Sequence, residues 1–168
     1  MPIPMYQAAV PTITRALKNL ADITAKGQQH AEAKKIPPEA LINFRLYPDM
    51  LPFVKQIQIA SDISKGGCSR LAGVDPPAFE DNEASFAELI ERLRKTVAFL
   101  DTLKPEQMEG AESRTITWTV RGNERSMIGQ QYLLNHVLPN VFFHCTTAYD
   151  ILRHNGVELG KMDFLGKP

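Results

Sequence analysis

Three polar residues in one stretch of the chain, His136, Asn140 and His144, stand at i, i+4 and i+8. On a helix that spacing stacks them over successive turns of one side. Advancing about 100° per residue, the apolar stripe of this segment contains Leu133, Leu134, Val137, Val141, Ala148, Ile151 and Leu152. His144 falls near its middle, Asn140 at its edge and His136 farther out. An imidazole turned into a helical bundle can serve as a metal ligand or a general base, or as a hydrogen-bonded core group. Pro139 stands between the polar residues. Having no N–H, it is expected to free the carbonyl of Asn135 and to kink the chain beside Asn140.

Asp49 is the acidic residue best placed to join them. It reads as the N-cap of a second long helix. Brought near His144, it would orient the imidazole or complete a metal triad with His136 and His144. Arg45, in the polar connection Asn43-Phe44-Arg45-Leu46-Tyr47-Pro48, either binds an anionic ligand or holds the loop through backbone carbonyls. The candidate site is therefore His144 as the catalytic group, with Asp49, Asn140, His136 and Arg45 as binding residues. Its metal-ligand set would be His144, His136 and Asp49. Transition-metal sites use three good ligands, and carboxamides are poor ones. The expected cofactor is accordingly none, or zinc or nickel if the triad assembles. Gln56, Gln58, Tyr132 and Tyr149 are further candidates to line a cleft. Cys145 follows His144 but points about 100° away, which disfavours a Cys–His nucleophile. His30 and His154 read as caps at helix C-termini. No nucleophile elbow, phosphate loop, dinucleotide fingerprint or HExxH pattern occurs.

Four long amphipathic helices must position these groups. The first spans about Met5 to Lys35, with Val10, Ile13, Leu17, Leu20 and Thr24 on one face and a kink expected at Pro11. A short helix is expected over Glu39 to Arg45. The second long helix is expected from Met50 to Leu71, with Pro52 in its first turn and Gly66-Gly67 allowing close approach of a neighbour. The third opens with the capping box Ser85-Phe86-Ala87-Glu88 and stops before Pro105. The fourth runs from about Gln130 to His154. Before it, the alternating run Thr115 to Val120, then Arg121-Gly122-Asn123 and Arg125 to Ile128, predicts a β-hairpin. Its apolar face of Ile116, Trp118 and Val120 would cover an open end of the bundle. The long connections over 36–49 and 104–129 argue against simple up-down-up-down wiring.

Composition sets the outer bounds. The 168 residues carry 19 Lys+Arg and 19 Asp+Glu, giving zero formal net charge, with no basic run longer than Lys34-Lys35. That argues against a nucleic-acid partner. No stretch approaches the ~18 consecutive apolar residues of a membrane span, and Met1 to Tyr6 do not open a signal peptide. The 2 cysteines, without a CxxC, suit free buried thiols in a reducing cytoplasm. At 43% apolar and 23% charged residues, a single globular domain is expected.

Pro139 to Gly156, Gly160 to Gly166, Met5-Tyr6-Gln7-Ala8 and Leu46-Tyr47-Pro48-Asp49-Met50 are together similar to an uncharacterised bacterial family. That family is a domain of unknown function within the DinB/YfiT-like superfamily. The resemblance covers essentially the whole chain. It implies an all-α four-helix bundle with up-down-down-up topology, often dimeric, among metal-dependent hydrolases and thiol S-transferases. Their sites use one histidine from the second helix and an HxxxH pair on the last. Carried over, His144 matches the second histidine of the pair. Asn140 stands at the first, and the second-helix position falls near Asp49. The function expected first is small-molecule binding in a cleft beside His144, Asn140 and Asp49. The alternatives are a metal-dependent hydrolase or thiol S-transferase with an altered site, and a non-enzymatic homodimeric structural or stress-related protein.

Overall fold

The computed structural model describes residues 3–166. The first helix, α1 (Met5–Lys34), runs unbroken through Pro11 and buries Val10, Ile13, Leu17, Leu20 and Thr24. It closes on Lys35 in the left-handed conformation, and a short helix, α2 (Pro38–Ile42), follows. The second long helix, α3, is Phe53–Ala72, and the third, α4, is Phe86–Leu100. The expected capping box forms at α4. Ser85 Oγ accepts from the Glu88 N–H, while Glu88 Oε2 accepts from the Ala84 N–H and the Ser85 hydroxyl. A single 3-10 turn at Pro105–Met108 then leads to the hairpin.

Strands β1 (Thr115–Val120) and β2 (Asn123–Ile128) pair antiparallel, Thr115 opposite Ile128 and Val120 opposite Asn123. Arg121 and Gly122 both take positive φ, at 49° and 78°, as a tight two-residue turn requires. Ile116 and Trp118 are buried as expected, but Val120 is exposed. It lies beside the turn, at the tip of the two-stranded ribbon. The last long helix is built of α5 (Gly129–Tyr132), a π-helical turn (Leu133–Val137) and α6 (Leu138–His154). A short cap, α7 (Lys161–Leu165), completes the described chain.

Contacts between named residues fix the wiring. Gln56 and Gly67 of α3 meet His144 and Val137 respectively, so α3 and α6 run antiparallel. Gly27 of α1 meets both Leu152 and Phe86. Earlier in α1, Leu20 and Ile23 share a cavity wall with Phe142 and Cys145, while Lys18 lies near Asp101. α1 is thus parallel to α6 and antiparallel to α4, which is up-down-down-up. One continuous core runs through α1, α3, α4 and α6 and reaches the hairpin at Ile116 and Trp118. Among the described residues no helix is long and apolar enough to cross a membrane.

Two boundaries differ from the sequence expectation for local reasons. α3 begins at Phe53, with Pro52 extended at its N-cap (φ −70°, ψ 168°). Proline disfavours the helical region for the residue before it, here Leu51. Asp49 therefore lies in an exposed turn closed by the Met50 N–H on the Tyr47 carbonyl, and does not cap α3. In the last helix the chain adopts the wide π turn where Pro139 was expected to leave the Asn135 carbonyl free. The Leu138 N–H reaches back to the Leu133 carbonyl, five residues away. The extra residue shifts the helical phase upstream, so Leu134, expected on the buried stripe, is 50% exposed.

Candidate functional site

The site is organised around one imidazole. His144 is 8% exposed, among the apolar residues of α3 and α6. Its Nδ1 lies 2.7 Å from Gln56 Oε1. The Gln56 Nε2 donates to the Leu51 carbonyl at 2.9 Å, which orients the amide. Its oxygen must then face the ring, so Nδ1 carries the proton and donates. The second nitrogen, Nε2, is left with a lone pair. It makes no hydrogen bond within the described residues, yet is not one of their fully enclosed unpartnered atoms. Phe143 and the His144 ring pack T-shaped at 5.1 Å between centroids, and Phe143 is itself 56% exposed. Burial lowers the His144 pKa below the ordinary imidazole value, so the neutral ring with an outward acceptor is the favoured form at neutral pH.

The other sequence-predicted residues are placed elsewhere. His136 stacks on Tyr132 (5.4 Å) and packs on Trp118 (4.7 Å), pinned between the hairpin and the start of the last helix. Burial and the positive charge of Arg70, which donates to the Tyr132 hydroxyl at 3.3 Å, lower its pKa. Asn140 turns its amide back one turn, donating to the His136 carbonyl at 2.6 Å, with His136 Nδ1 3.5 Å away. Its amide supports backbone beside the π turn, although the carbonyl it serves is His136 and not Asn135. Arg45 donates to the Met50 carbonyl, the loop-holding role. Cys68 and Cys145 are buried thiols pushed up to about 12 by desolvation, which makes them poor nucleophiles at neutral pH.

The metal triad does not assemble. Among the described residues no three His, Cys, Asp or Glu side chains group to hold a metal ion. His136 is held by the Trp118–Tyr132 stack, Asp49 lies in the exposed turn, and His144 faces Gln56. What remains at His144 is one imidazole nitrogen, with the engaged Gln56 carboxamide on the other side of the ring and the Asn140 carboxamide turned away to the His136 carbonyl. That donor set does not fit zinc or nickel.

Gln56 is the partner that sequence reasoning underweighted. It lies three residues after Phe53 and four before Ala60, on the face that both bury. A second polar centre escaped notice entirely. Arg92, almost fully buried on α4, binds Glu83 at 2.8 Å, Asp62 at 2.8 Å, Asp81 at 3.0 Å and the Glu80 carbonyl at 3.1 Å. Gln58 also donates to Glu83, and Phe79 covers Arg92 and the buried Lys65, itself paired with Asp62. Burial pushes the Glu83 carboxyl up, but hydrogen bonds from Arg92 and Gln58 outweigh it and hold the group below the usual carboxylate range. This cluster straps segment 73–85 across α3 and α4. Its sequence signal was an arginine between Leu89 and Thr96 on the buried face, preceded by an acid-rich connection.

Comparison with known proteins agrees with this architecture. A family model described as a domain of unknown function, DUF1993, matches residues 5–165. No curated protein matches the chain. The crystal structure of a DinB family member from Shewanella denitrificans superposes with a TM-score of 0.91 at 37% identity, covering 98% of this chain and 93% of that one. The up-down-down-up bundle, the hairpin before the last helix and a match over nearly the whole chain lead to one assignment: the protein belongs to the DUF1993 family of DinB-like helical bundles.

Proposed function

We propose that this chain binds a small molecule carrying a hydroxyl, thiol or amide N–H, with His144 Nε2 as the acceptor. The observation that carries the reading is the relay from the Leu51 carbonyl through the Gln56 amide to His144 Nδ1. Two fixed hydrogen bonds hold the tautomer whose second nitrogen, Nε2, has no partner among the described residues, which leaves an acceptor available to a ligand. Leu51 and Phe143, next to this relay, are exposed apolar groups that give a partly apolar ligand a surface to lie against. The neutral ring can accept a proton as a general base as well as a hydrogen bond. The free thiols fit a cytoplasmic setting.

Phenol, one hydroxyl on an apolar ring, is a direct probe. At roughly 0.5 kcal/mol per heavy atom, binding in the millimolar range is expected. Titration followed by side-chain nitrogen NMR should move the His144 Nε2 resonance saturably, and His144→Ala should abolish binding. Binding that survives His144→Ala unchanged, or no saturable shift, would overturn the proposal.

A further inference from the structure

A cavity of about 520 Å³ lies between α1, α6 and the cap α7, away from the Gln56–His144 pair. Its walls are largely apolar, with Leu20 and Ile23 from α1, Phe142 and Cys145 from α6, and Met162 and Phe164 from the cap. Arg15 and Asn19 also border it, but both are engaged. Arg15 Nε donates to the Leu165 carbonyl at 3.0 Å and Asn19 Nδ2 to the Phe164 carbonyl at 2.9 Å. The cap is further fixed by Lys26 to Asp163 at 2.6 Å. α7 has no fully buried residue; Phe164 packs on Tyr149, and polar bonds along the rim hold the cap over the remaining space. Met162 is 61% exposed at the mouth. Closing a cap by its backbone carbonyls while leaving apolar volume beneath it is the construction of a binding chamber. The space is open to solvent on one side, and a partly open apolar pocket of this kind accepts apolar guests.

We propose that this chamber is a second binding site, for a neutral and largely apolar molecule of roughly 15–20 non-hydrogen atoms. Polarity decides the class. Arg15 and Asn19 of the lining already serve the Leu165 and Phe164 carbonyls, and apart from these and the Thr12 hydroxyl the wall is apolar, so a ligand with few polar atoms matches it best. The proposal is independent of the His144 reading.

The test uses N-phenyl-1-naphthylamine, a neutral probe of that size whose fluorescence rises in apolar surroundings. One saturable site of about micromolar affinity is expected in the unmodified chain. Met162→Glu, at an exposed position, should weaken it at least tenfold without changing Tm. Ala16→Phe, which fills the chamber from α1, should abolish it, and His144→Ala should leave it unchanged. No saturable signal, equal binding by Met162→Glu and Ala16→Phe, or loss in His144→Ala would each overturn the proposal. So would light scattering that shows a dimer dissociated by Met162→Glu together with no probe binding, because a second copy would then cover this face.

Discussion

His144 donates its Nδ1–H to the Oε1 of Gln56 across the α3–α6 interface, at 2.7 Å. The two residues are 88 apart in sequence, and this contact couples the geometry of the imidazole to the start of α3. Gln56 also holds the Leu51 carbonyl, so one amide fixes both the entry of α3 and the tautomer of His144.

Substituting Gln56 separates these roles. Gln56→Leu leaves a buried imidazole N–H and the Leu51 carbonyl without their partner and should cost about 1–3 kcal/mol in chemical denaturation. Gln56→Glu places a carboxylate against the ring. The His144 pKa should then rise above its value in the unsubstituted protein, measurable by NMR titration.

Acid should destabilise the fold through its histidines first. His136 and His144 both lie below the ordinary value of 6.5 when folded, so the unfolded chain binds protons first as pH falls. Their contribution is complete above pH 6.5 and is lost as pH drops through the folded values, by at most about 1.4 kcal/mol per pH unit for each histidine. His144→Asn can keep a donor to Gln56 and remove one titrating group. It should flatten the dependence of Tm on pH between 7 and 5.

Gly67 sets the approach of α3 to the π turn. A Cβ there would lie 2.7 Å from Val137 Cγ1 and 2.9 Å from Cγ2, and a β-branched side chain cannot swing away cheaply. Gly67→Ala should therefore cost about 1–3 kcal/mol despite alanine's better helix propensity. It should also shift the His136 and His144 ring resonances.

Arg92→Met should release the 73–85 strap. The three carboxylates it neutralises would be left together, although Asp62 and Asp81 keep 43% and 42% of their side chains exposed. A loss of about 2–3 kcal/mol is expected, below the 3–5 of a fully buried pair. Hydrogen exchange should quicken across 73–85 and remain unchanged at Gln56.

The bundle was legible because helix periodicity and the capping box at Ser85–Glu88 report local physics. Burial along α1 and α4 follows the apolar spacing, and the hairpin follows its alternation. The site was legible only in part. His144 stood out as an imidazole on an apolar face, but its partner Gln56 is remote in sequence and can be identified only once α3 is laid antiparallel to α6. Asp49 was misplaced because a single proline, Pro52, delays the helix it was expected to cap. The polar ladder His136–Asn140–His144 was correct as spacing but not as a ligand set. The Trp118–Tyr132 stack captures His136, and its backbone carbonyl captures Asn140.

The most direct test is the tautomer of His144, read from its ring nitrogens by long-range proton–nitrogen NMR at neutral pH. The structure predicts a protonated Nδ1, an unprotonated Nε2 and a pKa below 6.5. A proton on Nε2, or an imidazolium that persists at pH 7, would contradict the account.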